Sequence, residues 1–171
     1  DVENTAMANQ EFKYDTAQNL TINSYTKAGY RFLGWSRNQA ATSATYSDGQ
    51  EVNNLTTLNG ATVTLYAVWQ AGEFDIIFNA NKPETEGTVT QTAETIKVTV
   101  ETTTNLTTAY IASLTGYTFL GYFDSTEENA IQLFDENGAV VTNTIYVAAD
   151  GTWKYVAESG VVNVYAHWSV N

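Results

Sequence analysis

The chain contains no cysteine and only one proline, and it carries few positive charges. Without cysteine it cannot form disulfides, use a thiol in catalysis or bind a metal through thiolates. Its 7 basic and 19 acidic residues give a net charge of −12, which disfavours nucleic acid and anionic membranes as partners. No run reaches the roughly 18 apolar residues of a transmembrane helix, and the N-terminus lacks a signal-peptide pattern. We therefore expect no nucleic-acid partner, no membrane insertion in this segment, and a chain that is a piece of a longer protein.

Apolar and aromatic residues are plentiful, at 43% and 13% of the chain. This composition indicates packed cores rather than a disordered tail. The length of 171 residues allows one ordinary domain or two small ones.

An internal repeat divides the chain. The segment GYRFLGW at 29–35 returns as GYTFLGY 87 residues later, and LYAVW at 65–69 returns as VYAHW 99 residues later. Upstream, the triplet that begins at Asn19 corresponds to the one that begins at Asn105. Three anchors in one order predict two tandem modules, residues 1–70 and 71–171. The larger last offset predicts an insertion in the second module, mainly a hairpin near 139–160.

The glycine and aromatic residues of the anchors are interpreted as structural. They are Gly29, Tyr30, Phe32, Gly34, Trp35, Tyr66 and Trp69, and then Gly116, Tyr117, Phe119, Gly121, Tyr165 and Trp168. Strict alternation would send Phe32 and Trp35 to opposite faces of a strand. A β-bulge at Gly34 would turn Trp35 toward the core, and Gly121 would do the same for Tyr122.

Apolar and polar residues alternate in residues 61–69, 74–78, 96–100 and 162–168, which predicts half-buried strands. Leu106, Tyr110 and Leu114 are spaced by four, which predicts a short helix or helical turn. Asp150-Gly151 between two apolar segments is typical of a tight hairpin.

The anchors together resemble the Listeria–Bacteroides repeat, the B-repeat of internalin-type surface proteins. The likeness also includes the segment from Met7 to Leu20 and the NGATVTLYA segment at 59–67, and it covers residues 7–70 and, more loosely, 73–169. It implies a mainly β, β-grasp-like α+β fold in each module, with at most a short helical crossover. It also implies a secreted or wall-attached bacterial protein in which such repeats act as spacers, stalks or adhesive modules. Partners would be neighbouring repeats or domains, and a host protein or glycan is a further candidate.

One departure from the family concerns the start of the first module. The second module opens with the apolar alternation at 74–78, whereas the first begins with residues 1–6 and has no comparable run. Either the chain was cut inside the module or its real start lies upstream. An absent opening strand would expose a sheet edge, which residues of a neighbouring molecule could fill.

The resemblance implies no active site, and the residues themselves predict no catalytic group, metal or cofactor. His167 is the one histidine and is expected on the solvent face of its strand. The acidic stretch 135–138 lacks the ligand spacing of a calcium loop and is interpreted as a turn. No Gly-x-Ser-x-Gly motif occurs, and no carboxylate pair can be placed across a cleft. We therefore expect that the chain is not an enzyme.

Tyr146, Trp153 and Tyr155 belong to the insertion alone. If they are exposed together, they form the best candidate contact for a carbohydrate or a protein partner. The alternative is that the hairpin packs onto its own module. A solvent-exposed Trp153 in a groove would favour the binding module, and a buried one would favour the spacer.

Overall fold

The computed structural model describes residues 6–83 and 87–171. They form strands, turns and irregular segments, and the mainly β class predicted from the sequence is confirmed. The chain separates into two compact units, one that ends at Ala71 and one that covers Gly72–Asn171. Within the described ranges, no helix is long and apolar enough to cross a membrane.

The described part of the first unit contains four strands, which are β1 (Gln18–Asn19), β2 (Tyr30–Ser36), β3 (Glu51–Val52) and β4 (Tyr66–Ala71). Strands β1 and β3 pair antiparallel, and so do β2 and β4. The core centres on Leu20, Trp35 and Val52. Half-buried side chains surround these three: Met7, Phe12, Tyr25, Phe32, Tyr46, Leu55, Leu65 and Ala67.

Seven strands lie in the second unit outside the gap at 84–86. They are β5 (Glu73–Asn79), β6 (Thr90–Gln91), β7 (Thr95–Thr99), β8 (Ala112–Ser113), β9 (Tyr117–Phe123), β10 (Gln132–Phe134) and β11 (Val161–Val170). Five of them form one sheet in the order β10-β9-β11-β5-β7, and β6 pairs with β8. Strand β11 runs antiparallel to β9 and parallel to β5. The three interior strands, β9, β11 and β5, are therefore paired on both edges.

Both predicted bulges are present. The register of β2 against β4 shifts between Phe32 and Gly34, and the register of β11 against β9 shifts opposite Gly121. Because one additional residue is accommodated, Phe32 and Trp35 meet on the same face with ring centroids 5.1 Å apart. In the second unit, Phe119 and Tyr122 meet in the same way at 5.0 Å. The glycines thus allow both large aromatic side chains of each anchor to enter one core.

Each unit contains one antiparallel strand pair built from its repeat anchors, β2 with β4 in the first and β9 with β11 in the second. The two strand pairs have the same register at equivalent residues. Phe32 lies opposite Trp69, and Gly34 lies opposite Val68. Their counterparts pair identically: Phe119 lies opposite Trp168, and Gly121 lies opposite His167. The turn that enters each ladder is also shared, with a backbone bond from Tyr30 to Lys27 in one unit and from Tyr117 to Leu114 in the other.

Both bulge glycines touch the backbone of a crossing segment. A Cβ atom on Gly34 would lie 2.3 Å from the Tyr46 carbonyl oxygen, and one on Gly121 would lie 2.4 Å from that of Phe134. Both glycines also have positive φ angles, of 135° and 121°. The two positions therefore require glycine for the same two reasons, close backbone approach and backbone conformation.

The strand predictions are confirmed at 74–78, 96–100 and 162–168, which fall largely in β5, β7 and β11. The prediction for 61–69 is wrong in its first half, because β4 begins only at Tyr66. Val161–Tyr165, the counterpart of residues 62–66, pairs with β5. In the first unit, no described strand lies beside residues 62–66 on that edge.

The predicted helix around 106–114 is absent, although Leu106, Tyr110 and Leu114 are all buried. The Leu106 N–H donates to the Thr103 carbonyl in a turn, and Asn105 within this turn has a positive φ of 60°. Downstream, the Tyr110 N–H donates to the Gly138 carbonyl, and β8 then pairs with β6. The spacing of four therefore reflects burial of an irregular segment and not a helical face.

One anchor of the repeat has a different counterpart from the one predicted. The Leu20 N–H donates to the Gln50 carbonyl, and the Tyr110 N–H donates to the Gly138 carbonyl, in each case at the end of a tight turn. Leu20 and Tyr110 are both buried. By geometry, Tyr110 rather than Leu106 is the equivalent of Leu20.

The prediction of an absent opening strand concerns residues 1–6, of which residues 1–5 lie outside the described residues. The β-grasp-like arrangement of each module stays a prediction. The ranges that the structure describes contain no helical crossover.

Candidate functional site

In the first unit, the aromatic anchor residues pack against one another. The Phe32 ring lies edge-on to Trp35 at 5.1 Å and to Trp69 at 5.3 Å. Trp35 is buried, whereas Phe32, Trp69 and Tyr66 are half-buried. Gly29, with a φ of 74°, forms the turn before β2, and the Lys27 ammonium lies 3.4 Å from the centroid of the Tyr30 ring.

The second unit has the same aromatic packing, and its phenylalanine is more deeply buried than Phe32. Phe119 lies edge-on to Tyr122 and to Trp168, with centroid distances of 5.0 and 5.6 Å. Tyr122 is 1% exposed, and its hydroxyl accepts a hydrogen bond from Gln91 Nε2. Tyr117, Tyr165 and Trp168 are half-buried, and Gly116 is exposed in its turn with a φ of 82°. The recurring aromatic residues are therefore structural in both units.

The structure brings Tyr146, Trp153 and Tyr155 together around one tight hairpin. The Tyr155 ring centroid lies 4.7 Å from that of Tyr146 and 6.4 Å from that of Trp153. Trp153 is 0% exposed and Tyr146 is 7% exposed, whereas Tyr155 is half-buried. The burial of Trp153 favours the packing interpretation, because a buried indole has no face on which a sugar could stack.

The hairpin is tied to the sheet through the backbone of Trp153. Its N–H donates to the Thr102 carbonyl at 2.9 Å, and its carbonyl accepts from the Glu101 N–H at 2.8 Å. The indole Nε1–H donates to the Tyr155 carbonyl at 2.6 Å. Since each polar group of this residue is satisfied internally, Trp153 acts as the core of the inserted hairpin.

Tyr146 is held by a buried hydroxyl contact. Burial raises the pKa of this phenol, and the hydrogen bond that its hydroxyl donates to Asp124 Oδ2 at 2.9 Å raises it further. The other carboxylate oxygen of Asp124 accepts from the Ile131 N–H at 2.8 Å. The phenol therefore stays neutral and anchors the hairpin to the loop after β9. Nothing in the sequence signalled this long-range pairing.

Asp150 orders the hairpin turn, and this gives a testable prediction. Thr152 donates to Asp150 Oδ1 from both its hydroxyl, at 2.7 Å, and its N–H, at 3.0 Å. The side-chain hydrogen bond from Thr152, followed by the backbone one, lowers the pKa of the Asp150 carboxyl below its usual range. We expect Thr152→Val to raise this pKa toward its ordinary value, as measured by NMR titration of the carboxyl carbon.

The matched control is Thr64→Val, an exposed threonine of the first unit, which should leave the Asp150 titration unchanged. A lowered pKa means that the ionised carboxylate adds stability above the unfolded pKa and loses it as the pH falls through the folded pKa. An identical Asp150 titration in Thr152→Val and the parent chain would contradict the assignment.

The prediction that His167 lies on the solvent face of its strand is wrong. Its Nε2 lies 2.8 Å from the Ser125 carbonyl oxygen, and its ring stacks on Phe123 with centroids 4.2 Å apart. The counterpart in the first unit, Val68, is buried. This slot of the ladder is therefore covered in both units, and the histidine is engaged in packing.

The acidic stretch 135–138 forms a turn, as predicted. Asp135 Oδ1 accepts from the N–H groups of Asn137 and Ala139, both at 2.9 Å. Within residues 6–83 and 87–171, no group of three His, Cys, Asp or Glu side chains is arranged to hold a metal ion.

Neither of two surface depressions of the described residues is lined by a pair of carboxylates. One lies on the first unit and is lined by Glu11, Phe12, Lys13, Thr16 and Gln18. The other lies beside β6 and β8 and is lined by Thr90, Gln91, Thr92, Ile111, Ala112 and Ser113.

Sequence reasoning missed two features of the second unit. Gln91 Nε2 donates both to the Tyr122 hydroxyl at 3.0 Å and to the Phe78 carbonyl at 3.1 Å. Ile145 and Val156 are exposed hydrophobic residues that flank the hairpin. A glutamine or an isolated apolar residue carries no pattern, so neither role could be identified from the sequence.

Comparison of the sequence with known proteins finds a family match and a distant relative. Residues 1–68 match the family model of the Listeria-Bacteroides repeat domain, which confirms the predicted family for the first unit. A protein of Evansella cellulosilytica whose name describes it as a Gly-rich membrane protein is 26% identical over 147 residues. This match covers 85% of the chain but only 15% of that protein. No solved structure shows a significant match.

Proposed function

We propose that the chain is a non-catalytic, extracellular repeat segment of a bacterial surface protein, in which it acts as a spacer, stalk or adhesion module. The observation that carries this proposal is the shared ladder. The unit that matches the repeat family and the unit of residues 72–171 pair their anchors in the same register. We infer that the second unit is a second copy of the repeat with an inserted hairpin.

The use of the aromatic residues supports a structural role. The side chains that recur between the units pack on one another, and those of the insertion surround a buried Trp153. Of the 22 aromatic side chains, nine are buried and twelve are half-buried, which favours packing over ligand contact. A spacer needs such self-contained units, because its task is to hold neighbouring domains apart.

The relative is much longer than this chain, and its name describes a membrane protein. This supports a role for the chain as one segment of a larger surface protein. The high negative charge suits an exposed β protein, since like charges discourage association of sheet edges. Neighbouring repeats or domains of the same protein are then the first partners, and a host protein or glycan is a further one.

Labelling of intact cells tests the proposal. Antibodies raised against the chain should bind intact cells that naturally produce it, and external protease should remove the signal. An antibody against a cytoplasmic enzyme serves as the control and should bind only after permeabilisation. A signal that appears only in permeabilised cells, or a hydrolytic activity that co-purifies with the chain, would overturn the proposal.

A binding role for the inserted hairpin would use Tyr155 and its exposed neighbours rather than Trp153. Tyr155 is half-buried, and Val156 beside it is exposed. A screen against glycans and matrix proteins with the parent chain and Tyr155→Ala would detect it. For a pure spacer, we expect no ligand whose retention depends on Tyr155.

A further inference from the structure

The first and the last strand of the second unit lie side by side. They are β5 and β11, and they pair in parallel, from Asp75 opposite Val161 to Asn79 opposite Tyr165. Because the two strands are parallel, the chain enters the pair at one end and leaves it at the opposite end. Tension applied to the chain through this unit therefore pulls the two strands in opposite directions along their common axis.

This geometry loads the hydrogen bonds of the strand pair together. The bonds between neighbouring strands run across the strand axis, so sliding one strand along the other must stretch all of them at once. Separating the strands sideways from one end would break the bonds one after another. Forced unfolding is governed by the unfolding rate, and a barrier at which several bonds break together is higher than one at which a single bond breaks. The parallel pair therefore predicts resistance that depends on the direction of pulling.

Three side-chain hydrogen bonds extend the same interface beyond the end of β5. The Asn79 amide donates to the Val164 carbonyl at 3.1 Å, and the Asn81 amide donates to the Ala166 carbonyl at 2.9 Å. The Trp168 indole donates to the carbonyl of the residue between the two asparagines, at 3.0 Å. Side-chain bonds thus continue the attachment to β11 after the backbone pairing has stopped.

The strand pair is shielded from water. Both strands are interior, because β5 also pairs with β7 and β11 also pairs with β9. On one face, Ile76 lies opposite Val162 and Phe78 lies opposite Val164, and all four side chains are buried. Water eases the breaking of a hydrogen bond by taking the place of the lost partner, and burial keeps it away. The bonds that tension would stretch are therefore among the best protected in this unit.

We propose that the second unit bears tension along its parent protein, and that β5 together with residues 79–81 forms a clamp with β11 that resists it. This inference rests on the proposed function, because a spacer is loaded when the domain that it carries is pulled away from the surface. Labelling of cells tests where the chain lies, whereas the clamp is measured on the purified chain. Either experiment can therefore fail without the other.

Single-molecule force spectroscopy of the full chain tests the clamp. The chain has no cysteine, so two introduced cysteines at exposed positions define where the handles attach. Handles at Glu73→Cys and Asn171→Cys load the clamp by sliding, whereas handles at Glu73→Cys and Glu158→Cys peel the two strands apart from the same end. At one loading rate, we expect the mean unfolding force for sliding to be at least about twice the force for peeling.

Two matched asparagine variants localise the resistance. Asn81 and Asn105 are both exposed, both have a positive φ, and both donate a side-chain amide to a backbone carbonyl. Only the Asn81 bond crosses the clamp. Asn81→Ala should lower the sliding force by about a tenth or more and leave the peeling force unchanged, because peeling begins at the other end of the pair. Asn105→Ala should change neither force, and circular dichroism confirms that both variants are folded.

Equal unfolding forces in the sliding and peeling geometries would overturn the proposal, because the parallel pair would then give no directional resistance. A loss of force in Asn81→Ala that is the same in both geometries, or that Asn105→Ala reproduces, would overturn the assignment of residues 79–81 to the clamp. Their hydrogen bonds would then contribute to the general stability of the unit.

Discussion

Replacement of Trp153 by alanine is expected to lower the free energy of unfolding of the second unit by about 3–5 kcal/mol. The indole is fully buried and donates to the Tyr155 carbonyl, so truncation leaves a cavity and an unpaired acceptor. A domain of this size has a total stability of roughly 5–15 kcal/mol, so the loss is a large part of it. Native-state hydrogen exchange of the buried β11 amides measures the stability of this unit.

Trp153→Phe is the matched control, because it keeps an aromatic ring and removes the indole hydrogen bond. We expect it to cost less than the alanine variant, about 1–2 kcal/mol. A Trp153→Ala chain whose β11 amides exchange as in the parent would show that the hairpin does not form part of the core. In that case Trp153 would return as a candidate for ligand contact.

Replacement of Gly121 by alanine should lower the stability of the second unit by about 2–5 kcal/mol. The new Cβ would lie 2.4 Å from the Phe134 carbonyl oxygen, and the backbone φ of 121° disfavours any L side chain. Relief of this overlap requires β10 to move away from β9. Urea unfolding followed by circular dichroism gives the change in free energy.

Gly160→Ala separates backbone strain from close approach. Gly160 has a φ of 73°, and no atom lies within 4 Å of the position of an added Cβ. This variant should cost about 1–2 kcal/mol, through conformation alone. If Gly121→Ala costs no more than Gly160→Ala, the close approach of Phe134 is not an essential contact of the bulge.

The bulges show what the sequence could establish. The spacing of Phe32 and Trp35 conflicts with the alternation of a strand, and a glycine lies between them. A bulge is the simplest way for both side chains to reach one core, and the structure contains it in both units. Such local conflicts can be read from one sequence, because they depend on the geometry of a few consecutive residues.

Features that depend on long-range contacts could not be read in this way. Residues 61–65 alternate as a strand does, yet they do not form a paired strand, because a strand requires a hydrogen-bonding partner from elsewhere in the sequence. Leu106, Tyr110 and Leu114 have helical spacing, but they are buried by an irregular segment that bonds to Gly138. Local pattern reports which residues are buried more reliably than it reports the backbone that buries them.

The same limit applies to the candidate site. The sequence brought Tyr146, Trp153 and Tyr155 together through the Asp150-Gly151 turn, and the structure shows their rings in contact. It could not decide between exposure and burial, since the answer depends on Thr102 and Asp124, which are distant in sequence. Burial of Trp153 is therefore the observation that turns the interpretation from ligand contact toward structure.

Cross-strand contacts in an NMR spectrum of the full chain test most directly whether one repeat plan underlies both units. We expect backbone contacts between Phe32 and Trp69 in the first unit and between Phe119 and Trp168 in the second. Beyond each bulge, Gly34 should face Val68 and Gly121 should face His167. A second-unit register shifted by one residue, with Gly121 opposite Trp168, would contradict the shared plan and with it the interpretation of the chain as two copies of a structural repeat.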